Sequence, residues 1–386
     1  MRRLLVLACA VVLVDTAFYA VVAPLLPELE DELGLTKTEA GILVGAYPAG
    51  TLVAALPSGL LVSRFGARRI VVLGLLLMAG SSVAFAVLRE PLLLDLSRFV
   101  QGVGGACSWA GALAWVIGAA PPDRRGALIG TTLAAGIAGA LLGPVLGALA
   151  GALGDEPVFF AVAAVGGVLA LLAAREPTPA PAAARERARD LGVALRRHDV
   201  ARGMWLVALP ALGFGVMGTL VPLRLDDLGA TQTAVAAAFL VAAVVEASVS
   251  PVVGRISDRR GRLVPVRIGL TVSTVLLVVV PLPGAALGVA ALLVVATAGL
   301  GTFWAPSMAA LSDAADTAGV SQGPAMALVN FAWAIGQTIG SAAGGGVADV
   351  TADVVPFAVV AALCALTLAV LRRIPTDEPT AAVRPL

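Results

Sequence analysis

Two carboxylates and one guanidinium lie inside long apolar stretches of the sequence. Asp15 follows eleven consecutive apolar residues, Glu246 lies within L-V-A-A-V-V-E-A-S, and Arg98 begins the segment R-F-V-Q-G-V-G-G-A. An ionisable group at the centre of a bilayer costs about 2.5–3.5 kcal/mol on insertion scales, and such groups commonly belong to ion pathways or proton relays. Because apolar surroundings favour the neutral carboxyl group, such acids can exchange protons near neutral pH. Asp15, Arg98 and Glu246 are therefore the candidate proton-coupling residues.

Each of these residues also has a structural explanation. A buried arginine stays charged and needs a partner, and the candidate partners of Arg98 are Asp95 and Asp15. A positive charge beside a carboxylate favours the ionised acid, so a shift of the helices would let the pair release a proton. Alternatively, Arg98 holds backbone carbonyls, and the two acids are held by hydrogen bonds between helices. The sequence leaves these alternatives open.

Long apolar segments must position these residues. A helix needs about 20 apolar residues to cross the hydrocarbon core of a bilayer. The chain is 59% hydrophobic and 13% charged, whereas soluble domains are about 45–50% apolar and about 25% charged. We therefore predict an all-α membrane protein with twelve transmembrane helices, at residues 4–27, 39–62, 70–88, 92–119, 123–150, 157–174, 204–223, 232–253, 264–283, 285–310, 321–346 and 355–372.

The basic residues test this count of helices. With a cytoplasmic N-terminus, only Lys37, Arg89 and Arg224 fall in loops on the outer side, and Arg98 falls within a span. The other 22 of the 26 basic residues then lie on the cytoplasmic side, as the positive-inside rule requires. Both termini are therefore predicted to be cytoplasmic. The abundance of Ala, Gly and Arg beside a single Lys indicates a bacterium with a GC-rich genome.

The two halves of the sequence repeat each other at an offset of 195 residues. The basic loop G-L-L-V-S-R-F-G-A-R-R at 59–69 is matched by G-R-I-S-D-R-R-G-R at 254–262, and P-E-L-E-D-E-L-G at 27–34 is matched by P-L-R-L-D-D-L-G at 222–229. In each basic loop, we expect the first glycine to let two helices approach and the second to permit a tight turn. The candidate inner-gate residues are Gly59, Arg64, Gly66, Arg68, Gly254, Asp258, Arg259, Gly261 and Arg262.

The repeat predicts two six-helix bundles, at residues 1–174 and 204–373. The Pro-, Ala- and Arg-rich stretch at 175–203 is predicted to be a cytoplasmic linker, and residues 374–386 a cytoplasmic tail. His198, the only histidine, lies in the linker. A histidine there can act as a pH switch, but we interpret it as a solvated surface residue.

The basic loops resemble the signature of the major facilitator superfamily, roughly G-x-L-x-D-R-x-G-R-R, which lies between helices 2 and 3 and between helices 8 and 9. The second copy keeps the acid of that signature as Asp258, and the first copy has Ser63 in its place. The resemblance implies two pseudo-symmetric six-helix bundles in the major facilitator fold, with substrate bound near the membrane midplane.

Two further segments resemble functional motifs of the same superfamily. The segment D-x8-P-L-L-P, from Asp15 to Pro27, is similar to the first helix of drug:proton antiporters and of vesicular amine transporters. That similarity implies a role for Asp15 in binding a proton or a cationic substrate. The segment R-x-x-Q-G, with Arg98 and Gln101, is similar to a motif tied to proton transfer.

Span five carries a glycine stripe with a proline, made of Gly139, Gly143, Pro144 and Gly147. It resembles the antiporter motif, which the superfamily shows mainly in exporters. The glycines leave one helix face without side chains, so that another helix can pack closely against it. The proline removes a backbone hydrogen bond and can bend the helix. A bend that faces the other half would seal the outer gate. The alternative is ordinary glycine packing between membrane helices.

Aromatic and amide side chains lie together in spans ten and eleven. The segment G-L-G-T-F-W-A-P-S-M is followed by N-F-A-W-A-I-G-Q-T-I-G, in which Asn330, Trp333 and Gln337 share one helix face. This mixture suits an apolar or cationic organic ligand, and ordinary packing explains the aromatic residues equally well. The second segment also resembles vesicular amine transporters, in which an acid stands at the position of Asn330. The candidate substrate-binding residues are Tyr19, Gln101, Trp304, Asn330, Trp333 and Gln337.

Together these features predict a secondary active transporter and not an enzyme. We expect a monomer in the bacterial inner membrane that exports small organic or drug-like molecules in exchange for protons, by alternating access. The expected partners are a small-molecule substrate, protons and the lipid bilayer. No cofactor, metal, catalytic residue or nucleic acid is expected, because the sequence holds no nucleotide-binding loop, metal-ligand cluster or nucleophile triad. Uptake of a small nutrient or metabolite is the alternative, and a membrane sensor or lipid-handling protein is a third possibility.

Overall fold

The structure, a computed structural model, describes residues 2–121, 124–176, 192, 195–320 and 322–373. Most of the predicted linker and the whole tail at 374–386 lie outside the described residues. Within them the chain forms thirteen α-helices: α1 Arg2–Ala20, α2 Val22–Leu33, α3 Lys37–Phe65, α4 Ala67–Val87, α5 Pro91–Ala119, α6 Arg125–Leu153, α7 Asp155–Arg175, α8 His198–Asp227, α9 Gln232–Arg260, α10 Leu263–Val279, α11 Ala286–Thr317, α12 Gln322–Val350 and α13 Val354–Arg372.

These helices make twelve crossings, because α1 and α2 form one apolar span that is interrupted only at Val21. Ten of the crossings are long and apolar enough to traverse a bilayer by length and composition, and α10 is a shorter apolar helix. The twelfth crossing, α12, carries several glycines together with Asn330 and Gln337. Most helices run several residues past the predicted apolar runs, since a helix continues from the hydrocarbon core into its charged ends.

The two ends of the bundle differ in charge. One end, here called the basic end, carries the turns between α3 and α4 and between α9 and α10. The opposite acidic end carries the carboxylates of residues 28–32, 226–227 and 349–353. Leu4 packs in one cluster with Ala173 at the basic end, and Arg267 donates to the carbonyl of Leu371 at 2.7 Å. Residues 2 and 373 therefore lie at the same end.

The internal repeat is visible in the backbone. Gly34 and Gly229 have φ of 64° and 79°, and Gly66 and Gly261 both have φ of 86°. The same turns therefore recur at the predicted offset of 195. Each turn needs glycine, because a positive φ is strained for other residues. The role predicted for the second glycine of each basic loop is confirmed.

The role predicted for the first glycine of each basic loop is wrong. A Cβ atom added at Gly59 or at Gly254 would meet no atom within 4 Å. No neighbouring helix among the described residues comes close enough to require a glycine at either position. A short charged loop needs a glycine at its turn, and the sequence does not distinguish that need from a packing glycine about two helical turns earlier.

The two halves touch along α3 and α12 and along α6 and α9. The polar contacts that the structure describes between them are Lys37 with Asp353 at 2.6 Å, Thr38 with Asp349 at 2.7 Å, Gln232 with Glu28 at 2.7 Å, and Gln337 with Tyr19 at 2.5 Å. The first three lie at the acidic end and the fourth near mid-depth. The polar contacts described between the halves are thus concentrated at the acidic end.

Backbones of the two halves also meet near the acidic end. A Cβ on Gly345 of α12 would strike the carbonyl of Lys37, and one on Gly41 of α3 would lie 2.5 Å from the carbonyl of Ser341. Glycine is needed at such close approaches because no side chain fits. The start of α3 and the end of α12 are therefore packed directly against each other.

Candidate functional site

Asp15 lies at the centre of the N-terminal half. It is thirteen residues into α1, about 20 Å from the basic end at 1.5 Å per residue. Its carboxylate is 3% exposed and accepts a hydrogen bond of 2.7 Å from the Tyr47 hydroxyl on α3. The Trp109 indole on α5 lies close to the same carboxylate. The acid is thus enclosed by protein and held by a donor from a neighbouring helix.

Arg98 lies beside this acid and is only 1% exposed. Its Nη1 donates to the carbonyl of Phe18 at 2.9 Å and to Oε1 of Gln101 at 2.5 Å, and its Nη2 donates to the carbonyl of Tyr19 at 3.2 Å. The guanidinium carbon lies 5.1 Å from the centroid of the Tyr47 ring, a distance at which a cation and an aromatic face attract. The guanidinium therefore fixes the C-terminal end of α1.

The predicted ion pair of Arg98 is not formed in this conformation. Neither Asp15 nor Asp95 lies within 4.0 Å of its guanidinium nitrogens, and backbone carbonyls and Gln101 take the place of a carboxylate. The Tyr47 ring supplies the link between the two charged groups, because its hydroxyl contacts the acid and its face contacts the cation.

Tyr19 connects this cluster to the C-terminal half. Its ring lies 5.3 Å from that of Tyr47 and meets Trp333 edge-on at 5.2 Å. Its hydroxyl accepts a 2.5 Å hydrogen bond from Nε2 of Gln337, which is 4% exposed. Three of the predicted substrate-binding residues, Tyr19, Trp333 and Gln337, therefore meet where α1 faces α12.

The other predicted substrate-binding residues lie around this contact rather than in it. Gln101 is buried in the N-terminal half, between Arg98 and the hydroxyl of Ser82. Trp304 is half-buried against an apolar cluster of the C-terminal half. Asn330 is half-buried one turn from Trp333 on α12.

Glu246 lies at mid-depth in the C-terminal half, fourteen residues from either end of α9. Its side chain is half-buried and lies against Gly301 of α11, where a Cβ would come within 2.7 Å of its Cγ. Among the described residues, we find no hydrogen-bond donor and no cation on its carboxylate. It does not touch the cluster around Asp15.

The contacts described for the predicted inner-gate arginines do not cross between the halves. Arg68 donates to the carbonyl of Glu176 at 3.3 Å, Arg262 pairs with Asp313, and Arg64 lies over Phe65. Asp258 and Arg259 are exposed. The contacts that the structure describes for these candidate inner-gate residues therefore stay within each half.

The glycine stripe of α6 packs within its own half. A Cβ on Gly139 would strike the carbonyl of Leu13, one on Gly143 would strike Ala20, and one on Gly147 would lie 2.9 Å from Pro24. The buried Pro144 does not interrupt α6. The stripe thus faces α1 and α2, not the other half as the gate interpretation required. In α12, Gly336 and Gly340 pack on α8 in the same way.

Sequence reasoning missed Tyr47, Trp109 and Ser82. Tyr47 lies in A-G-I-L-V-G-A-Y-P-A-G-T and is one of only two tyrosines in the chain, the other being Tyr19. The rarity of tyrosine and its position between small residues at mid-span were the available signal.

A cleft of about 470 Å³ opens at the acidic end, lined by Pro27, Glu28, Asp31, Glu32, Asp226 and Gln232. It is formed by both halves and lies far from Asp15. Four of its six lining residues are acidic, so the cleft carries negative charge.

Twelve crossings in two repeated halves, with aromatic and amide side chains meeting between them beside a buried acid and cation, define a membrane transporter and not an enzyme. The sequence model described as Major Facilitator Superfamily matches residues 7–323. The chain belongs to the major facilitator superfamily. The resemblance seen in the basic loops and the twelve-helix fold are confirmed.

Among known proteins, Multidrug resistance protein MdtH of Klebsiella pneumoniae (strain 342) is 30% identical over 114 residues, which are 30% of this chain. The match spans only 28% of the length of that relative. Two solved structures share the fold. A mutant of the nucleoside transporter NupG has a TM-score of 0.75 at 11% identity, with 96% and 99% coverage of the two chains. A bacterial homologue of the human lysosomal transporter Spinster, inward-facing and occupied, has a TM-score of 0.79 at 15% identity, with 96% and 97% coverage.

Proposed function

We propose that this transporter exports small organic or drug-like molecules from the bacterial cytoplasm in exchange for protons, by alternating access. The observation that carries the proposal is the enclosed carboxylate of Asp15, held by Tyr47 beside the charge of Arg98. A group that binds and releases protons at mid-depth, next to the contact between two moving halves, can link proton entry to their movement. The partial similarity to a multidrug resistance protein supports the export of drug-like substrates.

In the proposed cycle, protonation of Asp15 removes its negative charge and weakens the hydrogen bond from Tyr47. The aromatic and amide side chains of Tyr19, Trp333 and Gln337 then part, and the halves rock about the midplane. The substrate binds among these aromatic faces, which suit apolar and cationic organic molecules. Glu246 is proposed as a second acid on the substrate or proton path.

We further propose that the basic end faces the cytoplasm, as the arginine distribution indicates. The close contacts between the halves at the acidic end are proposed to close the outer side of the transporter in this conformation. The protein is proposed to work as a monomer in the inner membrane, because each six-helix half finds its partner within the same chain.

Transport in everted membrane vesicles tests the coupling. Vesicles carrying the wild-type protein should take up a fluorescent organic cation, ethidium, only when the vesicle interior is made acidic, and collapse of the proton gradient should stop uptake. Asp15→Asn should reduce this uptake about tenfold or more, because an amide cannot exchange protons as an acid within the membrane does. Asp95→Asn is the matched control, since it makes the same chemical change on a half-buried acid outside the cluster.

If Asp15→Asn accumulates ethidium as the wild type does, Asp15 does not carry the proton. A panel of drug-like molecules and small nutrients, assayed in a host lacking its own pumps, decides direction and substrate class. Resistance to several drugs supports export, whereas growth on a nutrient that the host cannot otherwise take up would overturn it.

A further inference from the structure

The Tyr47 side chain makes three contacts at once. Its hydroxyl donates to Asp15, its face lies against the Arg98 guanidinium, and its ring packs on Tyr19. Each contact belongs to a different part of the site: the acid, the fixed cation, and the contact between the halves. Because three contacts hold the Tyr47 side chain, a movement that alters one contact also alters the other two.

We propose that Tyr47 is a positioning residue that transmits the charge state of Asp15 through Tyr19 to the contact with the other half. The proposal rests on the proposed function, since it requires that Asp15 exchange protons. It adds a route for the coupling: Asp15, Tyr47, Tyr19 and then Gln337.

The first step of this route is the hydrogen bond between Tyr47 and Asp15. A phenol donates more strongly to a carboxylate than to a neutral carboxyl group. The ionised acid therefore holds the Tyr47 ring in place, and the protonated acid holds it weakly. Gly105 lies directly behind both groups, where a Cβ would come within 2.5 Å of Asp15 Oδ1, so the hydrogen-bonded pair packs directly on the backbone of α5.

The second step is the ring contact between Tyr47 and Tyr19, at 5.3 Å. Arg98 fixes the backbone of Tyr19 through its carbonyl, at 3.2 Å. With the backbone held, movement of the Tyr47 ring is expressed in the side chain of Tyr19. That side chain accepts the 2.5 Å hydrogen bond from Gln337 and makes the edge contact with Trp333, so the route ends in the C-terminal half.

Few charged groups compete with this route. The titratable and charged side chains that face Asp15 are Tyr47 from α3 and Arg98 from α5. On the remaining neighbours, α6 presents Gly136 and Gly139 to α1, and the buried side chains of α7 are apolar. Within the described residues, the protonation of Asp15 therefore reaches the rest of the molecule mainly through Tyr47 and Arg98.

The test measures the distance between the halves as pH changes. Spin labels are placed at exposed positions 69 and 260 at the basic end, in a protein whose three native cysteines are replaced by alanine and which is reconstituted in lipid nanodiscs. Pulsed electron spin resonance then gives the fraction of molecules in each distance population. In the wild type this fraction should change with pH, and in Asp15→Asn it should not.

Tyr47→Phe is the informative variant, because it keeps the ring contacts and loses only the hydroxyl. We expect its pH response to fall by about fivefold or more, the lower end of couplings between two sites. Tyr19→Phe should reduce the response as well, because it removes the hydrogen bond from Gln337. The double variant should be no worse than the single ones, since both lie on one route.

The outcomes separate this proposal from the proposed function. A wild-type pH response in Asp15→Asn would defeat the proton role of Asp15 itself. A flat response in Asp15→Asn together with a wild-type response in Tyr47→Phe would overturn only the role of Tyr47. Additive losses in the double variant would show two independent routes and would also overturn it. Thermal unfolding of each variant checks that it is folded, and a purely structural role would change that temperature without changing the pH response.

Discussion

The two acids at mid-depth lie in opposite surroundings. Asp15 is enclosed in the N-terminal half, with Tyr47 as its donor and Arg98 close by. Glu246 is half-buried in the C-terminal half, against Gly301 and without a donor among the described residues. Thr51 stands at the position of Glu246 in the first half, 195 residues earlier, and donates to backbone carbonyls instead. The two halves repeat the same backbone arrangement, but each carries its buried acid at a different position and in different surroundings.

This difference indicates two ways of keeping an acid in a membrane. An acid with fixed donors is part of the packed core, and a change in its charge alters the hydrogen bonds of the side chains that hold it. An acid without donors is free to meet a ligand. We therefore expect mutations around Asp15 to disturb the fold and mutations around Glu246 to leave it largely unchanged.

The largest expected effect is that of Arg98→Ala. The change leaves the Gln101 carbonyl oxygen without its donor in a buried site and removes the side chain that holds α1 to α5. A buried unsatisfied group costs about 1–3 kcal/mol and the cavity adds to it, so we expect a loss of about 3 kcal/mol or more. Thermal unfolding in detergent measures it. Glu246→Ala is the comparison and should lose less than half as much; equal losses would erase the distinction between the halves.

A matched pair of glycines sharpens the comparison. Gly105→Ala places a methyl group within 2.5 Å of Asp15 Oδ1 and against the Tyr47 hydroxyl, whereas Gly301→Ala places one 2.7 Å from Glu246 Cγ. The Asp15 and Tyr47 side chains at the first site are held by their hydrogen bond and cannot move aside. The added methyl group should therefore lower the free energy of unfolding by about 1–3 kcal/mol. No hydrogen bond among the described residues holds the Glu246 carboxylate in place, and alanine favours a helix over glycine by up to about 1 kcal/mol, so we expect the second change to be near neutral. The same unfolding assay decides, and a larger loss for Gly301→Ala would contradict the description of Glu246 as free.

Chemical labelling compares the acids directly. Dicyclohexylcarbodiimide is an apolar reagent for protonated carboxyl groups inside membranes. Because Asp15 is 3% exposed and Glu246 is half-buried, we expect Glu246 to be modified several-fold faster, as measured by mass spectrometry of the peptides. Glu246→Gln serves as the control that identifies the labelled site. Equal rates would mean that both acids are equally enclosed.

The smallest expected effect is that of Glu246→Gln on stability. The amide keeps the shape of the acid, and no donor among the described residues is lost. Substitutions away from packed and hydrogen-bonded features stay within about 0.5 kcal/mol, and we expect the same here. A much larger shift in the unfolding temperature would reveal a partner of Glu246 that forms in another conformation.

Much of the fold follows from periodicity and charge in the sequence. The apolar runs, the arginine distribution and the offset of 195 residues predict twelve crossings in two halves, since these features depend on burial and on local turn geometry alone. Gly66 and Gly261 are examples of what local sequence can predict, because the turn itself requires their positive φ.

The contacts inside the site depend on which helix faces meet. The pairing of helix faces cannot be predicted from the local sequence pattern of each helix. A carboxylate partner for Arg98 was one expectation from the sequence, yet the guanidinium holds two carbonyls of α1, because the approach of α5 to α1 sets what lies within its reach. Gly139, Gly143 and Gly147 were correctly seen as a packing face, but a stripe does not say which neighbour it packs against. Tyr47 was missed for the same reason.

The ion pair of Lys37 with Asp353 has a practical consequence. Lys37 is the only lysine in the chain, and its ammonium group bridges the halves at one end of the molecule. Apart from the amino group at the start of the chain, an amine-selective reagent thus has a single group to modify in the unaltered protein. Because acylation needs a free amine, its rate should rise when this ion pair breaks, so Lys37 can report the separation of the halves at the acidic end.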